Sequence, residues 1–192
     1  TNIASAYILE PKISKKLTLI WIGGPEYDDL ALPPPGSTPL EYNLGIDKVA
    51  VQVIFNKSDI ALWQVPRNVY RQPIMSQAEL MLRVRNKGPL GNYLAQALTD
   101  AFKIMNSWKI PAGETYIIGD NPLVLLTALQ SSFEPDPSSS PYVTKRAPKI
   151  NDEGLYETNL LGRQIRVYAQ LDNRLLFNDF YDKFELLATD QN

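Results

Sequence analysis

The chain has 192 residues, of which 44% are hydrophobic and 21% charged, and its formal net charge is −2. This length and balance are typical of one globular domain with a packed core, and they exclude a disordered tail, a collagen-like repeat and a coiled coil. No stretch is strongly basic, which argues against duplex nucleic acid as a partner. No apolar run reaches the roughly 18 residues of a membrane-spanning helix, so we expect no membrane association either.

The sequence contains neither cysteine nor histidine. Disulfides, thiolate-bound zinc, histidine-bound metals, a cysteine nucleophile and a Ser-His-Asp triad are therefore excluded from this chain. Any metal must bind oxygen ligands, which favours calcium or magnesium. The absence of cysteine and of a visible signal peptide favours a cytoplasmic location.

Helical and strand patterns alternate along the chain. The predicted helices cover residues 4–8, 47–55, 76–85, 90–105 and 121–129, and a last one begins at Asn178. The predicted strands cover residues 17–22, 60–65, 115–118, 155–158, 165–168 and 174–177. Residues 25–39 and 134–148 are rich in proline and are predicted to be surface loops.

Local signals support several of these boundaries. The continuous apolar segment at residues 17–22 is ended by two glycines, as expected for a buried strand of a parallel sheet. Asp47 is predicted to cap the helix behind it, and Ser76 and Glu79 form a capping-box pattern. The alternation predicts an α/β fold with an open, mostly parallel sheet, helices on both faces, and a hairpin and helix region at the C-terminal end.

Polar residues that follow the predicted strands are the candidates for a binding site, because open α/β sheets bind ligands beyond the carboxyl ends of their strands. If residues 41–43 are extended, Glu41 and Asn43 point the same way and suit sugar hydroxyls, while Tyr42 points away. Asp120 follows a predicted strand in the same manner. Each has an ordinary alternative: Asp120 as a helix cap, and Glu41 and Asn43 as loop residues.

Four short blocks occur in one order along the chain. They are Thr1-Asn2-Ile3-Ala4, Ile20-Trp21-Ile22-Gly23-Gly24, Thr38-Pro39-Leu40-Glu41-Tyr42-Asn43 and Gly119-Asp120-Asn121-Pro122. In this order they resemble four motifs of the nucleoside hydrolase family, the inosine-uridine-preferring ribohydrolases. The motifs are the end of Gly-Pro-Leu-Thr-Asn-x-Ala, an apolar strand ending in Met-Gly-Gly, Thr-Pro-x-x-Glu-Phe-Asn, and a late His-Asp-Pro.

The resemblance implies a nucleoside hydrolase-like fold and hydrolysis of the N-glycosidic bond of ribonucleosides by a calcium-bound water. It implies that the carboxylate of Asp120 and the backbone carbonyl of Thr1 are calcium ligands. The family's N-terminal Asp-rich motif, which supplies further ligands and the general base, has no match in this chain. We therefore expect no catalytic base here, and a chain that is the C-terminal part of one such domain. Its own N-terminal portion and a second copy of the chain are then the expected protein partners.

The resemblance also implies which residues contact the ribonucleoside. Glu41 and Asn43 would hold ribose hydroxyls, Ile22 stands where the family has a methionine beside the sugar, and Tyr42 matches an aromatic residue near the ligand. Trp108 and Tyr116 are further aromatic candidates for stacking on the base, although as large apolar residues they fit the core better.

Two departures from the family motifs keep other functions open. Gly119 replaces the histidine that protonates the leaving group in some members, and the loop at residues 36–39 lacks the family's asparagine. The first alternative is a non-catalytic homologue that binds nucleosides or sugars. The second is an unrelated α/β binding module, because fold does not determine function.

Overall fold

The computed structural model of the chain describes residues 1–110, 113–129, 131, 133 and 138–189. Its strands are β1 (Thr18–Ile22), β2 (Ala61–Val65), β3 (Ile74–Ser76), β4 (Thr115–Ile117), β5 (Tyr142–Arg146), β6 (Lys149–Ile150), β7 (Tyr156–Glu157) and β8 (Gln164–Tyr168). Its helices are α1 (Asn2–Leu9), α2 (Tyr42–Ile46), α3 (Lys48–Gln52), α4 (Arg67–Tyr70), α5 (Gln77–Glu79), α6 (Gly88–Ser107), α7 (Pro122–Leu125) and α8 (Asn173–Thr189). A 3-10 turn over Pro11–Lys15 and wider π turns over Val53–Lys57 and Leu80–Val84 follow α1, α3 and α5.

The central sheet has the strand order β1-β2-β8-β5. β1 pairs with β2, and β2 with β8, in parallel, whereas β5 lies antiparallel to β8. The prediction of an open, mostly parallel sheet is therefore confirmed. Because Ile22 is the register partner of Val65, the carboxyl ends of β1 and β2 lie side by side at one edge.

Apolar side chains cover both faces of this sheet, since alternate residues of a strand point to opposite faces. On one face, Leu62 and Val167 pack against α1, α3 and the π turn at Val53–Lys57. On the other face, Val65 and Tyr168 pack with residues of α4, α7 and α8. The predicted helices on both faces are confirmed, and none of the helices described is long and apolar enough to cross a membrane.

The predicted strand at residues 115–118 does not belong to the central sheet, so that part of the prediction is wrong. β4 instead pairs antiparallel with β3 in a separate two-stranded sheet, and its side chains are exposed or half-buried. Tyr116 of β4 packs edge-to-face against Phe102 of α6, with ring centroids 5.8 Å apart. A short apolar run does not reveal which strand it will pair with, because the partner lies far away in sequence.

Two predictions near the C-terminal end are also wrong. Residues 174–177 are helical rather than a strand, because Asp172 accepts a hydrogen bond from the Leu175 N–H (2.9 Å) at the start of α8. Part of the predicted loop at 134–148 is strand β5, whose side chains alternate between exposed and half-buried against β8. Residues 134–137 of that loop lie outside the part of the chain that the structure describes.

The turn after β1 requires a glycine at position 24. Gly24 has a φ of +84°, and a Cβ atom there would overlap the hydroxyl of Tyr156 and approach Nε2 of Gln64 to 2.6 Å. Gln64 is fully buried and donates hydrogen bonds to the Gly23 carbonyl (2.8 Å) and to the Tyr156 hydroxyl (2.7 Å). The turn is therefore held between β2 and β7 with no room for a side chain.

We expect Gly24→Ala to lower the free energy of unfolding by about 3 kcal/mol or more, since overpacking adds to the cost of a left-handed backbone. Gly36→Ala is the matched control, because Gly36 has a similar φ of +75° but no atoms within 4 Å of its hypothetical Cβ. That control should cost only about 1 kcal/mol. Equal losses for the two variants in denaturant unfolding would contradict the crowding of Gly24.

Candidate functional site

The candidate site lies at the carboxyl ends of β1 and β2. Backbone bonds continue the parallel pairing past the strand ends: Gly23 N–H donates to the Val65 carbonyl, and Arg67 N–H donates to the Gly24 carbonyl, both at 3.0 Å. The first residues of the loop after β1 and the start of α4 are therefore fixed against each other. This is the edge at which open α/β sheets bind ligands.

Glu41 is the N-cap of α2 and anchors it to the turn after β1. Its Oε2 accepts hydrogen bonds from the N–H groups of Gly24 (2.8 Å) and Leu44 (3.0 Å), and its Oε1 accepts one from the Asn43 N–H (3.0 Å). The residue is only 5% exposed. The expectation of an extended segment at residues 41–43 is wrong, because α2 already begins at Tyr42. A contact between Glu41 and ribose stays a prediction, for which one lone pair of Oε1 remains.

Asn43 lies at the outer edge of β1. Its Nδ2 donates to the Ile22 carbonyl at 3.4 Å, and its side chain is half-buried. Since Gly23 bonds to β2, the alternation of a strand turns the backbone groups of Ile22 and Ile20 away from β2. The Asn43 amide therefore occupies this outer edge with donor and acceptor capacity left for a ligand.

The two apolar site candidates differ in exposure. Ile22 is 7% exposed and belongs to the apolar cluster that contains Val65, so its side chain packs below the edge. Tyr42 is 80% exposed on the first turn of α2. Ile22 can therefore form the floor of a site, whereas Tyr42 has a free ring beside it.

A buried ion pair, which sequence reasoning did not find, joins the two loops at this edge. The guanidinium of Arg67 donates to both carboxylate oxygens of Glu26, with Nε to Oε2 at 2.9 Å, and to the Thr38 carbonyl at 2.7 Å. The side chains of Arg67 and Glu26 are 11% and 4% exposed. The Arg67 hydrogen bonds hold the pKa of Glu26 below its usual value. The pair ties the loop that carries Glu26 and Thr38 to the start of α4.

Tyr70, at the end of α4, is a second site residue that the sequence did not indicate. A Cβ atom on Gly119 would overlap its ring, so the ring occupies the space that a side chain at position 119 would need. Tyr70 also packs against the cluster that contains Ile22. Burial, and then the nearby groups of Tyr116, Asp120 and Glu41, raise the pKa of the Tyr70 hydroxyl. Tyr70 therefore lies beside the Gly119–Asp120 turn, on the apolar cluster to which Ile22 belongs, and within electrostatic range of Glu41.

Asp120 is exposed and does not cap α7. The N-cap residue of that helix is Asn121, which makes no side-chain capping bond. The backbone carbonyl of Asp120 accepts a hydrogen bond from the Leu123 N–H at 3.1 Å. The capping alternative thus loses support, and the carboxylate remains open to solvent.

Thr1 lines a cavity of about 410 Å³ together with Asn43 and Asp47. Asp47 caps α3 as predicted, by accepting from the Ala50 N–H at 3.0 Å, and it also accepts from the Thr1 hydroxyl. The Thr1 hydroxyl bond lowers the pKa of the Asp47 carboxyl. The Thr1 carbonyl accepts from the Ser5 N–H at 3.0 Å, which leaves one lone pair for a ligand.

These residues do not make a calcium site by themselves. Calcium takes six to eight oxygen ligands, from carboxylates, carbonyls and waters. Within the described ranges, no group of three or more acidic side chains could hold a metal ion. Asp120 and the Thr1 carbonyl would supply two ligands, so the remaining ones would have to come from elsewhere.

A cavity of about 710 Å³ lies beside the candidate site. It is lined by Glu26, Tyr27, Arg67 and Tyr156 among others, and by none of the site residues predicted from sequence. Trp108, considered above as a stacking or core residue, is 69% exposed at the end of α6.

No protein-family profile and no curated protein sequence matches the chain. Among solved structures, a plant nucleoside hydrolase, the PpNRh1 enzyme, is similar over 96% of this chain with a TM-score of 0.65 and 19% identity. The fold is nucleoside hydrolase-like. The chain spans 59% of the length of that plant enzyme, and an identity this low establishes the fold alone.

Proposed function

We propose that this chain belongs to a hydrolase that cleaves the N-glycosidic bond of ribonucleosides to ribose and free base. The observation that carries the proposal is the grouping at one sheet edge of Ile22, Glu41 and Asn43 with the Gly119–Asp120 turn, through Tyr70. These are the positions that resemble nucleoside hydrolase motifs, and they meet in a nucleoside hydrolase-like fold.

Ribose recognition would fall to the polar groups at the outer edge of β1. The Asn43 amide both donates and accepts, and Glu41 holds the backbone beneath it in a fixed position. Cleavage of a glycosidic bond passes through an oxocarbenium-like state at C1′. Side chains that hold the sugar near that geometry lower the barrier by orientation, and the anchored Asn43 is suited to this task.

The proposal places the general base outside these residues. The chain would be the C-terminal part of a nucleoside hydrolase-like domain, which agrees with its coverage of 59% of the plant enzyme. β1 is an edge strand of the described sheet, with backbone groups of Ile20 directed away from β2. A further strand could pair there and bring additional carboxylates to the same edge.

Calcium is proposed as the cofactor, held jointly by Asp120, the Thr1 carbonyl and ligands from the remainder of the domain. Two observations support this proposal. The carboxylate of Asp120 is exposed and does not serve as a helix cap, and the chain contains no histidine or cysteine, so it can offer only oxygen ligands.

A non-catalytic, nucleoside-binding homologue is the second candidate. The observation in its favour is that position 119 carries no side chain and that the Tyr70 ring takes up the adjacent space. A site without an ionisable group at that position can still bind a nucleoside.

We expect the natural protein that contains this chain to release free base from at least one purine or pyrimidine ribonucleoside when calcium is present. Asn43→Ala should lower kcat/KM by more than tenfold, because it removes a contact that tightens in the transition state. Asn106→Ala is the control, since Asn106 is exposed on α6. Chromatographic measurement of free base tests this, and binding without turnover of any nucleoside would favour the non-catalytic candidate.

We expect Asp120→Asn to weaken calcium binding by the natural protein at least tenfold, since a calcium ligand depends on its negative charge. Stability should change by less than about 0.5 kcal/mol, because Asp120 does not cap α7. Asp182→Asn, at an exposed position of α8, is the control. Calorimetric titration with calcium measures the effect, and an affinity equal to that of the parent would remove Asp120 from the proposed ligands.

A further inference from the structure

We infer that Tyr70 is the residue that contacts the base of the nucleoside, with its ring as a wall and its hydroxyl as a hydrogen-bond donor. This inference rests on the proposed nucleoside site and names the side of that site on which the base lies. It assigns a specificity-determining role to a residue that none of the sequence motifs contains.

Position is the first support for this role. α4 starts directly after the carboxyl end of β2, and Tyr70 is its last residue. Its ring fills the space next to Gly119 and packs on the cluster that contains Ile22. The side chain therefore lies beside the turn that carries Asp120 and on the apolar cluster to which Ile22 of β1 belongs, at the end of the sheet where ligands bind.

Chemistry is the second support. Within the described part of the chain, the Tyr70 hydroxyl makes no hydrogen bond, and its oxygen is not among the buried atoms that lack a partner. The hydroxyl is thus available at the surface of the site. A phenol is a neutral donor near neutral pH, and an aromatic ring packs well on a flat heteroaromatic base.

The other residues of the site indicate which part of the nucleoside each side chain contacts. Asn43 and Glu41 offer amide and carboxylate groups, which match the several hydroxyls of ribose. Tyr70 offers a large apolar face and one polar atom, which match a purine or pyrimidine with ring nitrogens and carbonyls. We therefore expect Tyr70 to distinguish a nucleoside from free ribose.

Gly119 supports the position of the Tyr70 ring. Any side chain at residue 119 would overlap the ring and push it aside. Gly119→Ala should thus displace Tyr70 without altering Asn43 or Glu41, and it should reproduce the binding defect of a Tyr70 variant. The substitutions at Tyr70 and Gly119 lie in different segments of the chain and share only their effect on the Tyr70 side chain. A binding defect common to both would therefore come from that side chain.

The test is calorimetric binding of ribose, one purine ribonucleoside and one pyrimidine ribonucleoside to the natural protein and its variants. Tyr70→Phe should weaken nucleoside binding about fivefold to tenfold through the lost hydroxyl, and leave ribose binding unchanged. Gly119→Ala should weaken nucleoside binding at least as much. Tyr93→Phe, which removes the same hydroxyl from an exposed tyrosine of α6, should have no effect.

The outcomes separate this inference from the proposed activity. A protein that binds nucleosides through Tyr70 but releases no base would overturn the proposed hydrolysis and support the role of Tyr70. A protein that hydrolyses nucleosides with Tyr70→Phe and Gly119→Ala both unaffected would overturn the role of Tyr70 alone. Equal losses for ribose and nucleoside, or no nucleoside binding by the parent, would also overturn it. Unfolding midpoints of all variants guard against loss of fold.

Discussion

One buried carboxylate joins the segments that build the site. Glu41 accepts backbone hydrogen bonds from Gly24, which lies 17 residues earlier, and from Asn43 and Leu44 at the start of α2. A carboxylate that is 5% exposed would be costly to bury without such partners. Hydrogen bonds from the three N–H groups compensate for that cost, and the same bonds hold the turn after β1 against α2. The position of Asn43 at the outer edge of β1 depends on this arrangement.

Local signals in the sequence were sufficient for much of the fold. The apolar run before two glycines corresponds to β1, Asp47 caps α3, and the Ser76–Glu79 capping box forms as predicted. The two caps join residues three positions apart, Asp47 to Ala50 and Ser76 to Glu79, and the glycines mark where β1 ends. The local sequence therefore contains the physical cause of the two caps and of the end of β1, whereas the pairing of β1 with β2 is a long-range contact.

Features that depend on distant partners could not be predicted in the same way. The apolar run at residues 115–118 predicts a strand, but the pairing of β4 with β3 joins residues about 40 positions apart in sequence, which a local pattern does not specify. The capping role of Glu41 requires the N–H of Gly24 from another loop, and the Arg67–Glu26 pair joins two strand ends. No sequence motif contains Tyr70. The only signal for it was the missing side chain at Gly119, whose meaning is visible once the ring is placed beside it.

Amide hydrogen exchange in a Glu41→Ala variant tests most directly whether this carboxylate holds the site together. A hydrogen bond to a charged group contributes about 1.5–3 kcal/mol, so the Gly24, Asn43 and Leu44 amides should exchange at least about tenfold faster than in the parent. The Gly23 amide, which bonds to the Val65 carbonyl instead, is the internal control and should keep its protection. Unchanged exchange at Gly24 and Asn43, or an equal loss at Gly23, would contradict a local anchoring role for Glu41.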